Sequence, residues 1–159
     1  MFHTETWELL SYMVTVLGLP FAIFLFFHEQ RKERENEEEE VHAILADSYT
    51  DFLKLVIENP DLRLRTAQAT PDLDEEQQNR MAAMLEILVS IFERAYLLTH
   101  EANMTGNKLR RWRSWEDFMR QWCRREDFRA HLPDLLLGED PDFAAYITAL
   151  AMEEGSRAT

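Results

Sequence analysis

Two glutamate–histidine spacings, one thiol and one arginine-rich stretch are the places where side chains of this chain could do chemistry. Glu39 and His42 stand three apart in Glu39-Glu40-Val41-His42, the Glu-x-x-His unit that di-iron carboxylate bundles use. Those bundles need two such units and further glutamates from facing helices, and a single unit does not predict a metal centre. His100 and Glu101 read as surface neighbours rather than an acid–base couple. Cys123, between Trp122 and Arg124, has basic neighbours that could lower its pKa; without a histidine partner it reads as a small helix-packing residue. The sequence contains no Gly-rich phosphate loop, HExxH or GxSxG, each of which would signal a specific chemistry. No catalytic residue, cofactor or metal is therefore assigned, and an enzyme is not expected.

The arginine-rich stretch is KLRRWRSWEDFMRQWCRREDFR, residues 108–129, with eight of the 17 basic residues and three of the four tryptophans. One reading is an anion site, in which Arg110, Arg111, Arg113, Arg120, Arg124 and Arg125 grip a nucleotide, a phospholipid headgroup or an acidic partner while Trp112 stacks. The other makes the tryptophans core and pairs the arginines with acids of the second helix and the C-terminal tail. Trp115, Phe118 and Trp122 fall at helical spacing, which needs no ligand to explain it. The chain as a whole carries a net charge of −13, and that excludes a general nucleic-acid-coating role. The acidic run Glu37–Glu40 is a solvated stalk in a monomer. In a symmetric bundle it becomes a ring of carboxylates at the mouth of the membrane helices.

The elements that would position these groups begin with an apolar run. Residues 9–27 (LLSYMVTVLGLPFAIFLFF) carry no charge, and 19 helical residues at 1.5 Å each come close to the hydrocarbon thickness of a bilayer. Glu5 and Glu8 precede the run, unlike the basic lead of a signal peptide. Arg31, Lys32 and Arg34 follow it and no Lys or Arg comes before, so the N-terminus is expected outside and the remainder in the cytoplasm. Trp7 and Tyr12 suit the outer interface. Pro20, after Gly18, bends the span, either as a packing notch or as an ordinary kink.

Beyond the span, residues 29–40 read as a helical acidic stalk. Val41, Leu45, Tyr49, Phe52 and Val56 then repeat at three- and four-residue spacing, a seam that could join copies of the chain, and helix 1 is expected to end at Glu58 before Asn59-Pro60. A second long helix is expected over 74–102, capped near Thr70-Pro71-Asp72, with Met81, Met84, Leu85, Leu88, Ile91, Phe92, Ala95 and Leu98 on one face. Ser114-Trp115-Glu116-Asp117 has the form of a cap for a third helix, a short helix follows at 127–132 with a turn at Pro133-Asp134, and Asp140-Pro141 opens the last one. The fold class is all-α: one N-terminal transmembrane helix continuing into a long cytoplasmic helix, packed with a second long helix and two or three shorter ones. The divisions are 1–28 anchor, 29–40 stalk, 41–152 cytoplasmic domain and 153–159 flexible tail. The low counts of four Gly and five Pro leave too few turn formers for a β sandwich or barrel, and the single cysteine excludes an internal disulfide.

The stretch ERAYLLTHE together with RRWRSWEDFMRQWCRREDFRAHLPDLLLGEDPDFAAYI resembles a family of small bacterial proteins with one N-terminal membrane helix and a cytoplasmic helical domain. The resemblance covers residues 85–148 and implies an inner-membrane location and a helical fold; it brings no activity and no catalytic residues. The expected function is protein–protein interaction by a single-pass membrane protein, as a homo-oligomer or an accessory subunit of a larger membrane complex. The alternative is a ligand-responsive oligomeric effector or channel-like protein that binds a small anion at the Arg/Trp-rich stretch. The partners expected are the lipid bilayer, and either itself or another membrane protein.

Overall fold

In a computed structural model, the backbone is described for residues 3–157 and the side chains for residues 21–33 and 36–157. The chain divides into two units, Met1–Ala43 and Ile44–Thr159. Helix α1 runs His3–Glu58 and so passes from the first unit into the second. It stops at the expected place, because Asn59 precedes Pro60 and the Asn59 amide bonds back to the Leu55 carbonyl. A single 3₁₀ turn, Pro60–Leu62, follows.

The remaining helices are α2 (Glu75–Thr99), α3 (Gly106–Cys123), α4 (Glu126–Leu135) and α5 (Pro141–Arg157). Among the described residues all regular structure is helical. Asp74 caps α2, not the Thr70-Pro71-Asp72 group: its carboxylate accepts from the Gln77 amide while the Gln77 side chain returns to the Asp74 N–H, a reciprocal box that satisfies two otherwise orphaned donors. Thr70 is spent elsewhere, donating to the Leu62 carbonyl at 2.7 Å. Helix α3 starts eight residues before the expected Ser114 cap. The chain turns at Asn103 and Gly106, both at positive φ, and residues 107–113 contain no breaker, so the helix forms as soon as the turn allows. Ser114 is an ordinary mid-helix residue whose hydroxyl points back toward the Arg110 carbonyl.

Helix α4 also outlasts its expected end, continuing through Pro133 to Leu135. Pro133 removes only one late ladder donor and lies on the exposed side, which limits the cost. Asp140 caps α5 as expected, its carboxylate accepting from the N–H groups of Asp142 and Phe143. Residues 153–157, expected as tail, are the last turns of α5 and include the buried Glu154.

Aromatic pairs fix the order of packing inside the second unit. Tyr49 of α1 stacks on Phe92 of α2 and on Phe118 of α3, Phe52 meets Trp122, and Tyr96 meets Trp112 of α3 and Phe143 of α5. Helices α1 and α3 therefore run the same way and α2 runs against both. Every buried side chain among the described residues lies between Leu45 and Glu154. The unit Ile44–Thr159 thus contains its own complete core and is able to fold by itself.

In the first unit, Phe21, Ile23, Phe24, Leu25, Phe26 and Phe27 are all exposed. Among the described residues no helix is long and apolar enough to cross a membrane; the side chains of residues 9–20, with Trp7, Tyr12, Gly18 and Pro20, lie outside the described residues.

Candidate functional site

The arginine stretch, read above either as an anion site or as arginines paired within the chain, divides into two populations. Arg125 is 2 % exposed. Its guanidinium donates to both oxygens of Asp127, at 3.0 and 2.6 Å, and to the backbone carbonyls of Arg63 and Thr66, at 3.1 and 2.6 Å. The hydroxyls of Thr66 and Thr70 complete the set. Five planar donors in a fixed fork suit this duty and a lysine does not. The clamp ties the 60–70 connection to α4. It also holds Arg63, whose left-handed φ of 45° costs about 1–2 kcal/mol in a non-glycine residue.

Arg120 and Arg124 belong to the same structural population. Glu154 is buried on α5 and receives Arg120 at 3.2 Å, Arg124 at 3.0 Å and Arg157 at 2.7 Å. Burial pushes its carboxyl up, but the bonds from Arg124 and Arg120 and the charge of Arg157 outweigh burial and leave it below the ordinary glutamate range. Arg120 also reaches Glu116 and Glu153. A charged carboxylate inside the domain is tolerable because three guanidiniums surround it.

Arg110 and Arg113 form the second population, both exposed near the start of α3. Arg110 donates to Asn107 at 2.8 Å. Arg111 is half-buried and is not free. Trp112, expected to stack on a ligand, is 3 % exposed and packs edge-on to Tyr96, His100 and Tyr146. That cluster corrects the reading of His100 as a surface residue: its ring stacks on Tyr96 at 4.5 Å with only 14° between planes. The spacing 96, 100 on α2 carried this signal, one helical turn apart, but nothing local announced the partners on α3 and α5.

The expected oligomer seam is used inside the chain. Leu45, Tyr49, Phe52 and Val56 are buried and Val41 is half-buried, with Tyr49 stacked on Phe92 of α2 and edge-on to Trp115 of α3, and Phe52 edge-on to Trp122 of α3. Trp122 donates its indole N–H to the Tyr49 hydroxyl at 3.4 Å, so the polar tips of the core satisfy one another.

Cys123 is fully buried. Burial, assisted by the Glu154 charge, pushes its thiol up to about 12, which removes thiolate character at neutral pH. Among the described residues no group of His, Cys, Asp and Glu is placed to hold a metal ion. At the start of α5, Glu93 of α2 accepts from the Asp140 N–H at 2.6 Å. Glu139 beside it is held up at about 7, chiefly by its hydrogen bond to Glu93, with burial and the Glu93 charge adding.

Several grooves open on this unit. One of about 820 Å³ runs between α4 and α5, with Leu132, Pro133, Ala151 and the exposed Met152 in its walls. Another of about 340 Å³ lies between α1 and α2, bordered by Leu45, Ile87, Ile91 and Arg94. Ile91, expected in the core, is half-buried and lines this groove, and Leu98, also expected there, is exposed.

Set against protein-family models, curated proteins and solved structures, the chain matches none of them.

Proposed function

We propose that the chain is a non-enzymatic, single-pass protein of the bacterial inner membrane, with its N-terminus outside, whose cytoplasmic helical unit binds another protein. The observation that carries this reading is the all-round exposure of Phe21–Phe27 on α1. A helix that is apolar on every side needs a cover of lipid or protein, and these residues end an uncharged run that begins at Leu9. The basic residues that follow the run support the orientation. Partner binding is supported by the grooves beside α2 and along α4–α5, whose walls mix apolar side chains (Leu45, Ile87 and Ile91; Leu132, Ala151 and Met152) with polar ones (Ser48, Glu86, Ser90 and Arg94; Arg129, Thr148 and Ser156). Self-association remains one form of the reading, through a surface other than the 41–56 seam.

The rival reading, an anion-responsive effector, is left with Arg110 and Arg113 after the internal pairing of Arg120, Arg124 and Arg125. Extraction of the full chain from native membranes in a gentle detergent, followed by mass measurement, tests the proposal. A complex heavier than one chain plus detergent is expected; a lone monomer with no co-purifying protein overturns it.

A further inference from the structure

The outward face of α2 carries apolar side chains and two charges of opposite sign. Glu86, Ile87, Ser90, Arg94, Leu97 and Leu98 are all exposed, Ile87 at 43 % and the two leucines at 55 % each. At 3.6 residues per turn they fall within about 120° of one another around the helix, opposite Leu88, Phe92 and Ala95, which enter the core. Glu86, Ile87, Ser90 and Arg94 border one groove against α1, and Ala83 continues the same exposed face. Helical spacing and the shared groove make these residues one surface. Glu86 and Arg94 stand about 12 Å apart along the axis, too far to pair with each other, and among the described residues neither forms an ion pair. Glu93, next to Arg94, is turned to the start of α5, where it accepts from the Asp140 N–H at 2.6 Å. On its other side Glu86 shares a groove with His131, Asp134 and Glu139, so that end of the face is more acidic than Glu86 alone.

We infer that this face is the contact for a second copy of the chain, in a two-fold arrangement in which the two α2 helices cross antiparallel at Ser90. Ser90 lies midway between Glu86 and Arg94, so a two-fold axis through it sets Glu86 of each copy against Arg94 of the other, and in the same register Ala83 against Leu97. Opposite charges that cannot meet within one chain then meet twice across the axis, and a small side chain faces a large one. Two chains of net charge −13 repel unless a cation of one reaches acids of the other. Here Arg94 arrives at the groove that Glu86 borders with Asp134 and Glu139. This self-match selects a copy of the chain over an anionic bilayer, which the same acids repel. The inference rests on the protein-binding reading and names its partner. Its test leaves the membrane anchor out, so a failed pairing here leaves the full-chain complex to be judged by its own mass measurement.

The test uses the fragment 44–159, which carries the whole described core, with one cysteine introduced as S90C or as A83C and oxidation in a glutathione redox buffer. Helices packed about 8–10 Å apart, each with its Cα atoms about 2.3 Å from its axis, bring the two Ser90 positions to about 4–6 Å, within disulfide reach. The two Ala83 positions lie about 21 Å apart along the axes. S90C should therefore form linked dimers and A83C should not, while the native Cys123, fully buried, takes no part. Sedimentation equilibrium of the fragment without an added cysteine should show a monomer–dimer equilibrium. E86R or R94E should weaken it about 10-fold, from the two exposed ion pairs lost per dimer, and E86R/R94E should recover most of that loss, with circular dichroism unchanged throughout. A fragment that stays monomeric at millimolar concentration, equal linking of S90C and A83C, or a double reversal no better than either single one overturns the inference. Binding of a monomeric fragment to lipid vesicles that is lost in I87S/L98S overturns it in favour of a bilayer.

Discussion

Replacing Arg125 with methionine isolates the part of the arginine stretch that the structure assigns to architecture. Methionine fills much of the same volume but donates no hydrogen bond. The change removes the cation from Asp127, whose side chain is only 14 % exposed and keeps only the N–H groups of Thr70 and Phe128, and it frees the carbonyls of Arg63 and Thr66 that now accept from Arg125 at 3.1 and 2.6 Å. Breaking a buried pair from one side costs about 3–5 kcal/mol. At about 4 °C per kcal/mol for a unit of this size, the melting temperature of fragment 44–159 should fall by about 12–20 °C. R125K keeps the charge but not the fork and should recover only a minor part. R125M/D127N should lose less than the sum of the two single changes, because each removes the same interaction. Thermal unfolding followed by circular dichroism at 222 nm reads R125M, R125K, D127N, R125M/D127N and the wild type. A loss under about 4 °C for R125M, or a lysine variant equal to wild type, would refute the clamp and return Arg125 to the candidates for ligand binding.

Three further outcomes are expected. S114A should leave fragment stability unchanged or raise it by up to about 0.5 kcal/mol, as for an exposed mid-helix position, whereas D74A should cost about 1 kcal/mol as a lost cap; chemical denaturation separates the two. Glu139 sits at about 7 in the folded chain against an ordinary 4.5, so between those values the folded state holds a proton that the unfolded chain has released, and stability should fall as pH rises through this window. Because the site is partly exposed, screening limits the effect: E139Q should match wild type near pH 4.5 and exceed it by about 1 kcal/mol at pH 8. Cys123 should stay unreactive toward a chromogenic disulfide reagent at pH 8 and titrate as one thiol once the chain is unfolded in guanidinium; rapid labelling of the native protein would contradict its burial.

Much of the architecture was legible because it rests on local signals. The Asn59-Pro60 stop, the Asp140 cap and the periodic face of α2 each act over one or two turns, and the described helices follow them. The misplaced boundaries share one cause: a good local signal lost to a better alternative nearby. Ser114 looked like a cap, but the turn at 103–106 had already released the chain into a helix. Pro133 looked like a stop, but it arrived where a single missing donor costs little. The candidate site was less legible, since the distinction between Arg125 and Arg110 depends on partners far away in sequence. Arg63, Thr66 and Thr70 lie about 60 residues before Arg125, and Glu154 lies 30 after Arg124. Nothing in the local sequence separates arginines that pair inward from those that face out. The 41–56 seam was recognised correctly as an apolar stripe, yet periodicity says only that a stripe is covered and leaves open which chain covers it.

The central claim, that residues 9–27 anchor the helical unit in a bilayer with the C-terminus in the cytoplasm, is tested most directly by alkaline carbonate extraction of membranes from cells expressing the full chain with a topology reporter fused after Thr159. The account predicts that the full chain stays in the membrane pellet with reporter activity on the cytoplasmic side. Release of the full chain into the carbonate supernatant, or reporter activity on the periplasmic side, would contradict it.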